Sequence, residues 1–254
     1  MAELRVELLR PLRAVYGGRE VGLGPARQQA LVAVLAFHPG QELTPDELLE
    51  AAWGPDAPSS GVRVVAPYIY RIRKLLPCPS LVRRGRRGYA LQLERSNLDV
   101  TQVTETVELA RASLAGGDHR AAVCRFSDAI SYFDGQPMAG LPGHWVAANR
   151  RRFEELRRAL IAEQAGVLLG LGQYEQPIAD LTSLLERDPL DEGLARQLML
   201  AHYHAGHQTE ALNIYRRTSQ ALRDDFGLEP TPTLRATLVD ILNHTCESAT
   251  GRCW

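Results

Sequence analysis

Residues 62–89 read VRVVAPYIYRIRKLLPCPSLVRRGRRGY. The stretch holds Arg63, Arg71, Arg73, Lys74, Arg83, Arg84, Arg86 and Arg87 and no acidic residue; the nearest are Asp56 before it and Glu94 after it. Placed on a helix at about 100° per residue, Val62, Val65, Ile69, Ile72 and Leu76 share one side, and Arg63, Tyr70, Arg71 and Lys74 fall opposite. This predicts an amphipathic helix over 61–76, stopped by Pro77 and Pro79. Pro67 is awkward inside it, lacking an N–H and clashing with the carbonyl four residues back. Either the first turn is kinked or 3₁₀, or the regular helix starts near Val64, which leaves Pro67 within the first two turns. After the prolines, 81–82 and 89–93 alternate as strands flanking the turn Arg83-Arg84-Gly85-Arg86-Arg87-Gly88, with Tyr89 expected to pack on the core. A cationic helix followed by a basic hairpin is how a winged helix-turn-helix meets DNA.

Working back towards the N-terminus, 4–9, 12–16 and 19–23 are short alternating runs separated by Pro11 and Gly17-Gly18. They read as a small antiparallel sheet with a tight Gly-Gly hairpin. Pro25 opens a helix of about three turns carrying Ala30, Leu31, Val34, Leu35 and Phe37, and Pro39-Gly40 stops it. Thr44-Pro45-Asp46-Glu47 starts another: Thr44 as N-cap, Pro45 at the first helical position, Glu47 completing a capping box. Leu43 is set to pack on Leu48; Leu48, Leu49, Ala52 and Trp53 form the buried side. Gly54-Pro55 ends it, and 54–60 is a loop.

From 98 onward the chain reads as helices over 99–116, 119–134, 144–171, 174–187, 191–205, 208–226 and 231–244. Three helix starts look alike: GDHRAAV from Gly117, GQYEQPI from Gly172 and GHQTEAL from Gly206. Gly172 and Gly206 are 34 residues apart, the period of a tetratricopeptide repeat. The fold class expected is mainly α with a small β component. Residues 1–97 form a winged helix-turn-helix, 98–244 an all-α tetratricopeptide-like domain, and 245–254 a flexible tail.

The chemistry of the basic stretch follows from residue type. Arg63, Tyr70, Arg71 and Lys74 are placed to meet a major groove, where arginine bonds a guanine edge in bidentate fashion for about 1–3 kcal/mol of discrimination. Arg73 and Lys74, near the helix end, suit phosphate. Arg83, Arg84, Arg86 and Arg87 cannot be buried together without partners and are free to grip phosphates or enter a narrow minor groove.

Bulk numbers narrow the rest. Net charge is −1, but residues 1–100 carry fourteen Lys+Arg against ten Asp+Glu, and the remainder fifteen against twenty. A basic half joined to an acidic half fits a DNA reader joined to an interaction module. Only Lys74 among the basic residues is lysine, a bias better explained by a GC-rich genome than by function. Cys78, Cys124, Cys246 and Cys253 show no metal spacing and suit a reduced cytosol. His202, His204 and His207 do not share a helix face, so no metal is expected. Neither a catalytic constellation nor a phosphate loop stands out; no cofactor and no enzyme activity are expected. Lacking a secretory segment or a long apolar run, the protein is read as cytoplasmic and nucleoid-associated, with no membrane partner.

ELRVELLRPLRAVYGGREVGLGPARQQALVAVLAFHPGQELTPDELLEAAWG (3–54), YIYRIRKLL (68–76) and RRGYAL (86–91) resemble the OmpR-type winged-helix domain of Streptomyces antibiotic regulatory proteins. The segment 172–235, ending ALRDDFGLEPTPTLR, resembles the bacterial transcriptional activator domain that follows it there. LTPDELLEAAWG and ALRDDFGLEPTPTLR are specific in combination, and the match covers roughly residues 3–243. The resemblance implies a pathway-specific activator of a secondary-metabolite (antibiotic) gene cluster. Such a protein binds direct repeats in double-stranded promoter DNA side by side, as a homodimer at least on DNA, and recruits RNA polymerase holoenzyme. It implies that Gly54, Pro55, Asp56, Ala57, Pro58, Ser59 and Ser60 form the polymerase-contacting loop, and that the basic helix reads the major groove and the wing the minor groove. It also implies a small member with no appended ATPase or receiver domain. One departure stands out: where relatives usually carry Leu-Gln-Val-Tyr, this chain has Val65-Ala66-Pro67-Tyr68. The contact made there, and with it the target sequence, is expected to differ. Two alternatives stay open at this point: a helical-repeat interaction or ligand-sensing regulator, and a repressor.

Overall fold

A computed structural model describes residues 3–246. Contacts divide the chain into two compact units, 1–108 with 128–157, and 109–127 with 158 onward. In the first unit, β1 (Leu4–Glu7) and β2 (Arg13–Tyr16) pair antiparallel, Leu4 opposite Tyr16 and Glu7 opposite Arg13, and β2 pairs with β3 (Arg19–Glu20). The hairpin between β2 and β3 turns on Gly17 and Gly18, with φ of 56° and 80°. A two-residue turn of that hand needs positive φ at both positions, which is why two glycines stand there. Both outer runs are shorter than their alternation suggested. β1 stops at Glu7 because the Leu8 and Leu9 amides both donate to Asp99 Oδ2, each at 2.8 Å. The sheet ladder is thus replaced by a carboxylate from ninety residues further on. Burial pushes the Asp99 carboxyl up to about 6, against the backbone N–H groups of Leu8, Leu9 and Val100 that favour its charged form.

Helix α1 (Ala26–Phe37) is the centre of the first unit. Every residue from 30 to 36 is buried, so over that stretch it has no solvated face and an amphipathic stripe understates it. Even Gln28 is buried, its amide donating to the Leu23 carbonyl at 2.9 Å. Helix α2 (Pro45–Trp53) starts with the expected reciprocal cap: the Glu47 N–H donates to Thr44 Oγ1 at 3.2 Å, and the Thr44 N–H to Glu47 Oε2 at 2.7 Å. Leu43 and Leu48 are both buried beside it. The segment after α2, read as a loop, opens with a 3₁₀ turn over Gly54–Asp56.

The basic helix resolves the Pro67 problem in a definite way. Gly61–Val64 is a 3₁₀ turn, and α3 (Val65–Leu75) begins after it. Pro67 is then the third helical residue, where an N–H would have no intrahelical partner in any case. The altered start also turns Val62 outward: expected in the core, it is 38% exposed, while Val65, Ile69, Ile72 and Leu76 are buried. A 3₁₀ turn, with three residues per turn instead of 3.6, shifts the angular position of everything before it. β4 (Val82–Arg84) and β5 (Tyr89–Leu91) form the second hairpin.

Helices follow: α4 (Asp99–Ala115), α5 (His119–Ser131), α6 (His144–Gly170), α7 (Ile178–Arg187), α8 (Glu192–His204), α9 (Gln208–Phe226) and α10 (Pro232–Leu242). The unit boundaries fall within α4, α5 and α6. The three similar glycine turns are alike in bonding as well as in sequence. Gly117, Gly172 and Gly206 have φ of 79°, 75° and 85°. The residue after each donates back to the carbonyl five positions before it: Asp118 to Ser113, Gln173 to Leu168, His207 to His202, at 2.8–2.9 Å. This is the Schellman closure, and only glycine takes its left-handed position at no steric cost. α7 starts four residues later than its pattern suggested, because Pro177 caps it and Tyr174 instead stacks on His204 at 4.6 Å. In the second unit Leu160, Leu181, Leu198, Met199 and Ala211 are buried. The tail read over 245–254 lies, beyond Cys246, outside the described residues. Among the described residues no helix is long and apolar enough to cross a membrane.

Candidate nucleic-acid interface

α3 buries Val65, Ile69 and Ile72 and turns Arg63 (in its lead-in turn), Ala66, Pro67, Tyr70, Arg71 and Lys74 outward. Tyr70 is 62% exposed. The cations are not loose. The Arg71 guanidinium lies 5.5 Å from the Tyr68 ring, and Tyr68 meets Trp53 edge to face at 5.3 Å. On Trp53 rests the Arg27 guanidinium, at 5.4 Å, which also donates to the Ala52 carbonyl. Lys74 Nζ lies 5.6 Å from the Tyr70 ring. Each such contact is worth about 0.5–1 kcal/mol at an exposed site, enough to bias a side chain's rotamer without hiding its charge.

Arg73 departs from its sequence reading. Instead of reaching outward for phosphate it is half-buried: Nε donates to the Val82 carbonyl at 2.9 Å, and the guanidinium lies 6.0 Å from the Tyr89 ring. It fastens the end of α3 to the base of the wing. Tyr89 is buried beneath it, as its sequence reading held.

The wing turn is closed by the Gly85 N–H donating to the Gly88 carbonyl at 2.9 Å. Arg83, Arg84, Arg86 and Arg87 are all exposed. Two features that no local pattern indicated hold this turn. Glu42, from the segment before α2, accepts the Arg87 N–H at 3.1 Å. Leu43 bridges Tyr89 through both backbone bonds, N–H to carbonyl, at 2.9 and 2.8 Å. At Gly88 a Cβ would stand 1.8 Å from the Leu43 carbonyl oxygen, so glycine is required by the approach of another backbone. Among the described residues none of Arg63, Arg71, Lys74, Arg83, Arg84, Arg86 or Arg87 forms a salt bridge.

The segment 54–60 divides. Pro55, Asp56, Ala57, Ser59 and Ser60 are exposed and Pro58 half-buried. Gly54 is buried, with φ of 55° and a Cβ position 3.2 Å from His144 Cβ, and serves as a turn rather than a contact. Among the described residues no group of three or more His, Cys, Asp or Glu is placed to hold a metal. His202 and His207 have ring centres 5.8 Å apart, whereas His204 is taken up by Tyr174.

An exposed cationic helix with an arginine-tipped hairpin fastened to its end is equipped to hold a polyanion. Comparison with known proteins agrees. Residues 98–242 match the bacterial transcriptional activator domain, and 18–91 match the C-terminal domain of transcriptional regulatory proteins. The regulatory protein AfsR of Streptomyces griseus is 34% identical over 231 residues, covering 91% of this chain and 24% of that protein. The chain thus spans about a quarter of that relative's length. The regulatory protein DnrI of Streptomyces peucetius is 24% identical, with 91% of this chain and 89% of that protein covered. Among solved structures, Mycobacterium tuberculosis EmbR, in complex with a low-affinity phosphopeptide, matches with a TM-score of 0.88 and 27% identity, over 98% of this chain and 68% of that one. Both matched domains are those of transcriptional regulators. The chain belongs to the Streptomyces antibiotic regulatory protein family.

Proposed function

We propose that the chain activates transcription of a secondary-metabolite gene cluster by occupying direct repeats beside a promoter and recruiting RNA polymerase. Two copies lie side by side on the DNA. α3 enters the major groove, the wing arginines grip the minor groove and its phosphates, and the exposed part of 54–60 meets polymerase. In the cell the protein is cytoplasmic and associated with the nucleoid. One observation carries this reading: outward cations on α3 that form no salt bridge among the described residues, with Arg73 tying that helix to an arginine-tipped hairpin. Buried charges seek partners, and a cluster of exposed arginines keeps its charge available to an external polyanion.

The deciding experiment is a footprint on the promoters flanking the gene, followed by transcription in vitro with purified polymerase. Two protected stretches in the same orientation are expected, with binding that weakens steeply between about 50 and 200 mM salt. Transcript yield should rise with added protein. Absence of any protected site overturns the DNA reading. Protection with falling transcripts leaves the site in place and makes the protein a repressor.

A further inference from the structure

The outward face of α3 has a restricted chemical vocabulary. It offers Arg63, Ala66, Pro67, Tyr70, Arg71 and Lys74, with Val62 and Leu75 exposed at its two ends. None of these is an amide or a carboxylate. In a major groove, adenine is read through a bidentate Asn or Gln to N6 and N7, and cytosine through a carboxylate accepting from N4. Neither group is present on this face. Two readouts remain: a guanidinium on guanine O6 and N7, and an apolar contact with the thymine C5 methyl.

Both are prepared. Arg71 is held over Tyr68, which is itself braced on Trp53, so the guanidinium is aimed before DNA arrives. Ala66 and Pro67 are the second and third residues of α3. In helix-turn-helix proteins the N-terminal residues of the recognition helix are the ones that meet base edges. Here that end presents a methyl group and a pyrrolidine ring, both exposed. Neither can form a side-chain hydrogen bond, and Pro67 has no N–H to give. Tyr70, one turn further on, extends the apolar strip; its hydroxyl donates or accepts equally and so distinguishes no base pair alone. A helix rises about 1.5 Å per residue, which puts Ala66 and Arg71 about 7 Å apart along the axis, the span of about two base steps.

We propose that α3 specifies its site through guanine and thymine alone, Arg71 (supported by Arg63) taking a guanine edge and the Ala66–Pro67–Tyr70 strip seating a thymine methyl within about two base pairs of it. The proposal rests on the reading that α3 enters the major groove, and its test separates the two.

Sites are first selected by the intact protein from a random duplex pool. Individual thymines in the selected site are then replaced by uracil, which removes only the methyl, and guanines by 7-deazaguanine, which removes only N7. At one core thymine, uracil should weaken binding about fourfold, the worth of one buried methyl. At a guanine within two base pairs, 7-deazaguanine should weaken it about tenfold. Arg71→Ala should abolish the second effect and leave the first. Ala66→Gln places an amide on the same exposed turn; it should abolish the uracil effect and enrich adenine at that position. Because Ala66 is exposed, its replacement leaves the core intact, and a melting curve for each variant checks this. If no sequence is enriched, the major-groove reading itself fails. If a sequence is enriched but every thymine tolerates uracil, or adenine N7 is required opposite α3, that reading stands and this proposal is overturned.

Discussion

α3 and the wing are both cationic, yet they are built on opposite principles. On α3 the charged groups alternate with apolar ones and are held by aromatic rings: Arg71 by Tyr68, Lys74 by Tyr70. On the wing the arginine side chains are exposed and form no salt bridge among the described residues, and it is the backbone that is held, by Glu42 at the Arg87 amide and by Leu43 against Tyr89. An aimed side chain selects, because a misplaced base loses its hydrogen bonds. A free side chain on a fixed backbone grips, because it follows phosphates wherever they lie. Arg73, the one cation drawn inward, joins the two.

That contrast can be broken at several points. The largest effect is expected from Gly88→Ala, whose Cβ would collide with the Leu43 carbonyl. Overpacking against a backbone atom should cost about 3 kcal/mol in urea unfolding and release the hairpin from its bridge. Next comes the joint replacement of Arg83, Arg84, Arg86 and Arg87 by Ala. Titrations at several salt concentrations should show affinity falling on the order of a hundredfold for all duplexes alike, with the log–log salt slope reduced by about 3–4. Arg71→Ala should do the reverse: overall affinity falls less, but preference for the selected site over a scrambled one drops about tenfold. The smallest change expected is a gain. Glu42→Gln keeps an acceptor for the Arg87 amide but removes a negative charge from the wing. Binding should tighten about two- to threefold at low salt, and the difference should fade as salt screens it. Weaker binding by this variant would show that the Glu42 charge, beyond its hydrogen bond, is needed to set the turn.

Much of this was legible from the chain, because the signals were local. The Thr44–Glu47 cap, the Gly17-Gly18 hairpin and the three glycine turns each lie within a few residues of the bonds they make. Pro67 limited the start of α3 to a narrow choice, and the structure combines its two alternatives, a 3₁₀ first turn over Gly61–Val64 and a regular helix from Val65. What escaped was long-range and polar. Asp99 ends β1 across ninety residues, and Glu42 reaches a turn 45 residues away. An isolated acidic residue gives no periodic signal and no spacing to read. Arg73 was misplaced because its position near the helix end was weighed above its phase: four residues after Ile69 it lies beside the buried stripe, and its long side chain folds back to a carbonyl supplied by the next strand. Val62 was lost to a change of helix type, which no apolar stripe records.

The central claim is a division of labour, α3 for sequence and the wing for affinity. It is tested most directly by measuring dissociation constants of the wild type, Arg71→Ala and the four-arginine wing variant on a selected and a scrambled duplex at one salt concentration. The ratio between duplexes should collapse for Arg71→Ala and persist for the wing variant, while absolute affinity falls most in the wing variant. A wing variant that loses the ratio, or an Arg71→Ala protein that keeps it, would contradict the account.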